Sequence, residues 1–115
     1  MNAFKLLCAS ALLGLSVFTA PLVLAADKIW IDVRSAEEFQ AGHLEGAVNI
    51  VHTDIAAKIG AVTQDKTAEI QLYCRSGRRS GLAEAALKKL GYTNVHNAGG
   101  YEALKAAAEK SGQPE

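Results

Sequence analysis

Cysteine is scarce in this chain, and an excess of charge of either sign is absent. The sequence holds two cysteines, Cys8 and Cys74, and 12 basic against 12 acidic side chains. A balanced charge gives no reason to expect a nucleic-acid partner or an anionic membrane surface, which both select basic patches. Ligand spacing is missing as well. His52 and His96 have no metal-ligand spacing with each other or with Cys74, which argues against a zinc site. Internal repeats, low-complexity tracts and linkers are lacking. The pattern is that of one small domain with one modest core.

What is present divides sharply. After Lys5, residues 6–26 carry no charge. Leu6 to Ala20 is an apolar core, Pro21 breaks it, and Val23-Leu24-Ala25 offers small residues at a cleavage site. That is the layout of a secretory signal peptide over residues 1–25. An uncleaved anchor is the alternative, because the run approaches the length of a membrane span; Pro21 and the Val-x-Ala pattern favour cleavage. Cys8 lies too early, and behind Leu7 rather than a small residue, for a lipoprotein. Cleavage after Ala25 leaves residues 26–115 as the domain, in the periplasm and free of the membrane. Without Lys5 the basic side chains number 11 against 12 acidic ones, a net charge of −1. Only Cys74 remains in that domain. Exported proteins usually pair their cysteines, so a lone thiol is a liability unless it is used.

Cys74 opens the segment Cys74-Arg75-Ser76-Gly77-Arg78-Arg79-Ser80, behind the β-prone run Ile70-Gln71-Leu72-Tyr73. A helical pattern follows from Gly81 to Leu90. A thiol so placed heads a tight loop that feeds a helix N-terminus, where backbone N–H groups turn inward as an anion nest. Three arginines crowd the same loop. Both features favour the thiolate, which is the nucleophile. A buried, inert cysteine is the plainer reading, but its polar and cationic neighbours are not core residues.

The rest of the chain alternates strands and helices. Strand-like runs lie at Lys28–Val33, Ala47–Val51, Ile70–Tyr73 and Asn94–Ala98. Ser35 and Glu38 form a capping box for a short helix ending near Gly42. Thr53 is placed to cap a helix that carries Ile55 and Ile59 on one face and stops at Gly60. The helix after Cys74 sets Leu82, Ala86 and Leu90 on one face, and Gly91 ends it. Gly99-Gly100 turns into a last helix with Leu104 and Ala108. The tail from Ser111 reads as frayed. Such alternation implies an α/β domain, a central parallel sheet of about four strands flanked by helices. Ligands of such sheets bind beyond the carboxyl ends of the strands, which is where Cys74 stands.

Three blocks carry a family resemblance. Asp32-Val33-Arg34, Glu38-Phe39 and Gly42-His43-Leu44-x-Gly46-Ala47-x-Asn49-Ile50 resemble the N-terminal signature of rhodaneses. Tyr73-Cys74-Arg75-Ser76-Gly77-Arg78-Arg79-Ser80 resembles their active-site loop, and Asn97-Ala98-Gly99-Gly100-Tyr101 their C-terminal glycine signature. The blocks occur in the expected order and cover nearly all of the domain. The resemblance implies a rhodanese-like domain with strands ordered 4-3-1-2 in chain numbering. It implies sulfur transfer from thiosulfate to cyanide or a thiol through a persulfide on Cys74, with no metal or organic cofactor. In that reading Cys74 is the nucleophile. Arg75, Ser76, Gly77, Arg78, Arg79 and Ser80 bind substrate through their backbone N–H groups, with no more than two of the arginines in direct contact. Gly77 allows a backbone shape other residues resist, and Ser80 caps the helix. Asp32 and Arg34 support the site, Arg34 pairing with Glu38 and Asp32 tying loops together. His43, Trp30, Tyr73 and Tyr92 are structural, and Tyr101 stands where a tryptophan is common. Partners are small-molecule sulfur donors and acceptors, and the expected state is a monomer.

Two other functions compete. One is a persulfide carrier or interaction module that hands sulfur to a protein. The other is a Cys-dependent phosphatase or arsenate reductase, whose loop has five residues between Cys and Arg. Here Arg79 follows Cys74 after four, a smaller pocket better suited to a sulfur atom than to a phosphoryl group.

Overall fold

Short β-prone runs line up as a parallel sheet, and its two central strands are largely buried on both faces. In the computed structural model, which describes residues 28–110, the elements run β1 (Ile29–Asp32), α1 (Ala36–Ala41), β2 (Val48–Asn49), a 3-10 turn (His52–Asp54), α2 (Ile55–Val62), β3 (Ile70–Cys74), α3 (Arg78–Lys89), β4 (Val95–Gly100) and α4 (Tyr101–Lys110). The expected leader, its expected cleavage site and the tail lie outside the described residues. All strand pairs are parallel and the order is β2-β1-β3-β4, the 4-3-1-2 arrangement expected. No helix among the described residues is long and apolar enough to cross a membrane.

The two-residue period of a strand sends neighbours to opposite faces. Ile31, Leu72 and Cys74 join Ile55, Ile59, Ala83 and Leu87 in one core. Tyr73 goes to the other face with Leu44 and Tyr101, against which Trp30 and Leu104 pack. The capping box forms as expected: the Ser35 hydroxyl accepts from the Glu38 N–H, and the Glu38 carboxylate accepts from the Ser35 N–H.

Several expectations fail. The core side of α3 is Ser80, Ala83 and Leu87, with Ala86 at its edge; Leu82 is 54% and Leu90 42% exposed. The helix starts at Arg78 rather than Gly81, and small side chains at Ser80 and Ala83 let it lie on the sheet. Leu82, about 200° round the helix from Ser80, then faces out. Thr53 does not cap α2; it lies inside the 3-10 turn, and α2 follows with Asp54 at the cap position and no side-chain bond. Nor does Gly60 end α2, which runs to Val62 and stops where Thr63 turns extended. Finally, Gly99 and Gly100 are the end of β4 rather than a turn, because they pair with Tyr73 and Cys74.

Candidate active site

β3 ends on Cys74, and after only three intervening residues the chain is a helix. Gly77 makes this possible. It holds φ +95° at the N-cap of α3, a left-handed conformation that costs glycine little and other residues more. The resulting turn aims the Gly77 N–H at the Cys74 sulfur, 3.0 Å away. The helix then brings Ser80 Oγ to 3.6 Å from the same atom. Ser80 is therefore the third residue of α3, not its cap. The thiol is 1% exposed. Burial pushes its pKa up, but the Ser80 hydroxyl and the N–H groups of Ser80, Ser76 and Gly77 together outweigh this and draw it down to about 7. Hydrogen bonds rather than the arginine charges are the source of the acidity.

The three loop arginines take different places. Arg79 is held by Glu38 of α1 through bonds of 2.9 and 3.2 Å. That pairing, led by the Arg79 bond and opposed by burial, lowers the Glu38 pKa to about 2. Arg78 is exposed on the first turn of α3. Arg75 is exposed as well and lines a cleft of about 350 Å³ with Arg34, Gly42, Tyr101 and Lys105. Ser76 is exposed on the loop. The loop rests on β4: a Cβ on Gly100 would come within 2.5 Å of the Arg75 carbonyl oxygen. Gly100→Ala is accordingly expected to push the Cys74 loop outward, lowering stability by about 1–3 kcal/mol as overpacking does and reducing activity with it. Thermal melting and turnover of that variant check this, and a parental result in both would mean the loop moves freely.

A strand-end thiol and a glycine-turned loop at the head of a helix match a known pattern. The rhodanese-like domain family matches residues 22–107. The chain belongs to the rhodanese-like family. It is 44% identical to the thiosulfate sulfurtransferase PspE of Escherichia coli over 84 residues, covering 73% of this chain and 79% of that protein. It is 34% identical to the putative sulfur carrier protein YrkF of Bacillus subtilis over 67 residues, 58% of this chain but only 35% of the relative. Among solved structures, a rhodanese with anions from E. coli aligns with a TM-score of 0.64 and 41% identity, covering 66% of this chain and 89% of that one. The human single-domain sulfurtransferase TSTD1 aligns at 0.60 and 28% identity, over 69% and 81%.

Behind this rhodanese-like loop the Asp32–Arg34 pair is buried, at 0% and 4% exposure. Arg34 donates from Nε to both carboxylate oxygens at 2.9 and 3.0 Å and from Nη2 at 2.6 Å, and its own N–H adds a fourth bond. Nη2 also reaches the Gly42 carbonyl at 2.7 Å. The guanidinium lies 4.4 Å from the Tyr101 ring centroid, and Tyr101 stacks on Tyr73 at 6.0 Å. The expected Arg34–Glu38 pair does not form: Asp32 is two residues away and buried, while Glu38 faces the loop. Asp32 fixes Arg34, which reaches Gly42, and its backbone carbonyl accepts from the Asn49 amide. His43 is structural, stacked 3.6 Å from Phe39 and bonded to its carbonyl. Tyr92 and Tyr73 are buried.

Sequence reasoning missed three residues of this neighbourhood. Glu38 is expected as a helix cap and as a partner of Arg34, yet it holds Arg79. Gly100 was read as a turn, yet it is the floor of the loop. Asn97 was read as part of a glycine signature, yet it accepts from Ser80 at 2.6 Å. A loop arginine and a carboxylate on α1 are the one signal for the first; nothing in the sequence marks the other two.

Proposed function

We propose that the protein is a thiosulfate sulfurtransferase that carries sulfane sulfur on Cys74. The observation that carries this reading is the Cys74 sulfur held by the Gly77 N–H at 3.0 Å, at the head of α3. Such a thiol is ionised near neutrality and has donors for the charge. The thiolate attacks the outer sulfur of thiosulfate, and a new S–S bond forms. The original S–S bond breaks with its electron pair leaving on sulfite. Cyanide or a thiolate acceptor then attacks the terminal sulfur of the persulfide, and Cys74 leaves as thiolate. The covalent intermediate implies ping-pong kinetics, and no metal or organic cofactor enters the steps. Arg75 and the N–H groups of residues 75–80 receive the dianion, and Ser76, Gly77, Arg78, Arg79 and Ser80 complete the loop around it. The similarity to a rhodanese solved with anions supports an anionic substrate. The phosphatase alternative lacks a free arginine at the end of its loop, since Glu38 engages Arg79.

Intact mass after incubation with thiosulfate tests the reading. One added sulfur atom, removed by cyanide, is expected; no added sulfur, or hydrolysis of phosphate esters lost with Cys74, overturns it. A second reading, a persulfide carrier for a protein partner, is favoured by the similarity to a putative sulfur carrier protein. Rapid sulfur loading with poor turnover on cyanide and small thiols would select it. Residues 1–25 are proposed as the export leader, with the domain from residue 26 monomeric in the periplasm, and N-terminal sequencing of the exported protein checks the cleavage.

The arginines are expected to be unequal. Arg75→Ala removes the loop's own cation on the cleft, and the loss of a charged hydrogen bond of roughly 1.5–3 kcal/mol raises the thiosulfate KM about tenfold or more. Arg78→Ala removes only a solvated charge, and its small effect fades as salt is added. Steady-state kinetics at two salt concentrations distinguishes the two.

A further inference from the structure

Asn97 sits in β4 where the pairing with β3 slips. Leu72 pairs with Asn97 and Tyr73 with Gly99, so Ala98 is the extra residue of a bulge. Bulges re-aim side chains, and here the Asn97 amide is brought to the start of α3. Its Nδ2 donates to the Gly77 carbonyl at 2.8 Å. Its Oδ1 accepts from the Gly99 N–H at 3.0 Å and from the Ser80 hydroxyl at 2.6 Å. These partners settle which end of the amide is oxygen, because an N–H only donates and a carbonyl only accepts. The Ser80 hydrogen therefore points to Asn97, while the same hydroxyl oxygen lies 3.6 Å from the Cys74 sulfur. One hydrogen faces two acceptors. Gly81 belongs to the same arrangement: glycine is unfavourable inside a helix, and a Cβ there would sit 3.4 Å from Asn97 Nδ2.

We propose that Asn97 is a positioning residue acting through Ser80: it takes the Ser80 hydroxyl hydrogen while Cys74 is a thiol and yields it to the sulfur when Cys74 is a thiolate or persulfide. The proposal rests on Cys74 being the sulfur carrier. In the thiol form the S–H faces the Ser80 oxygen, whose own hydrogen goes to Asn97. When the thiol proton leaves to solvent buffer, the hydroxyl rotates and donates to the charged sulfur. The stronger the acceptor at position 97, the less readily that rotation occurs. Asn97 also grips the carbonyl of Gly77, the residue whose N–H holds the sulfur.

The test follows thiolate formation by its ultraviolet absorbance as a function of pH, in the full-length protein, with the spectrum of Cys74→Ser subtracted. The charged and titratable groups of the Cys74 loop and of the elements packed around it include Arg75, Arg78, the Arg79–Glu38 pair, the Asp32–Arg34 pair, Tyr73, His52 and His96; all are the same in the variants compared. Asn97→Asp offers a stronger acceptor, and the midpoint is expected to rise by about one unit, a tenfold loss of thiolate below it. Asn97→Ala removes the competing acceptor, and the midpoint is expected to fall. Both shifts are expected to shrink by more than half in the Ser80→Ala background. Shifts of equal size in that background, or a shift with Asp but none with Ala, mean through-space charge alone and overturn the proposal. A lower melting temperature with an unmoved midpoint means a purely structural role and overturns it too. Thiosulfate loading of the parent is measured alongside: a parent that takes up no sulfur counts against the sulfurtransferase reading, while the titration still judges Asn97.

Discussion

Cys74→Ser is expected to abolish sulfur transfer, by more than about 1,000-fold, the scale seen when a covalent nucleophile is removed, while the protein stays folded. Serine fits the space, and its oxygen accepts the Gly77 N–H in place of sulfur. It neither ionises near neutrality nor stores sulfane sulfur. Residual activity within about tenfold of the parent would show that Cys74 is not the carrier. In the parent, the rate of sulfur uptake is expected to rise with pH until the thiol ionises at about 7, then level off. Because folding lowers this pKa, the unfolded chain holds the extra proton between about 7 and the free-thiol value near 8.5. Stability therefore rises with pH across that window and is lost as pH falls through it. Cys74→Ser is expected to remove that slope, which denaturant melts at several pH values will show.

Arg34→Ala is the second large effect, on stability rather than chemistry. Asp32 is 0% exposed and takes three of its four bonds from the Arg34 guanidinium. Removing one partner of a buried pair leaves an uncompensated charge and costs about 3–5 kcal/mol. In a domain of this size that lowers the melting temperature by roughly 10–30 °C. Arg34→Lys is expected to recover little, because a lysine cannot bond both carboxylate oxygens and the Gly42 carbonyl from one plane. Replacing both partners, as Asp32→Asn with Arg34→Met, is expected to be milder than Arg34→Ala alone. A melting temperature for Arg34→Ala near the parental one would mean that water reaches Asp32 when the guanidinium leaves.

The two ion pairs of the site show how far residue patterns reach. Asp32, Arg34, Glu38 and Arg79 all stood out in the sequence, but their pairing did not. The expected pair was Arg34 with Glu38, near the start of the first helix. The fold instead buries Asp32 beneath Arg34 and turns Glu38 toward a loop that is distant in sequence. Partner choice between like candidates depends on which carboxylate loses its water, and burial is a tertiary property.

The alternation of strands and helices, the parallel sheet, the Ser35–Glu38 box and the Cys74 loop at a strand end were legible in the residues alone. Each depends on short-range rules: side-chain period, capping partners three residues apart, and a glycine where the backbone must turn left-handed. The tertiary structure alone decided the face of α3, the division of labour among Arg75, Arg78 and Arg79, and the place of Asn97 beside Ser80. Those depend on distances between segments far apart in the chain. A helix rotates to seat its small residues against the sheet, and a one-residue bulge swings an amide across to another element. Neither leaves a mark in the local order of residues.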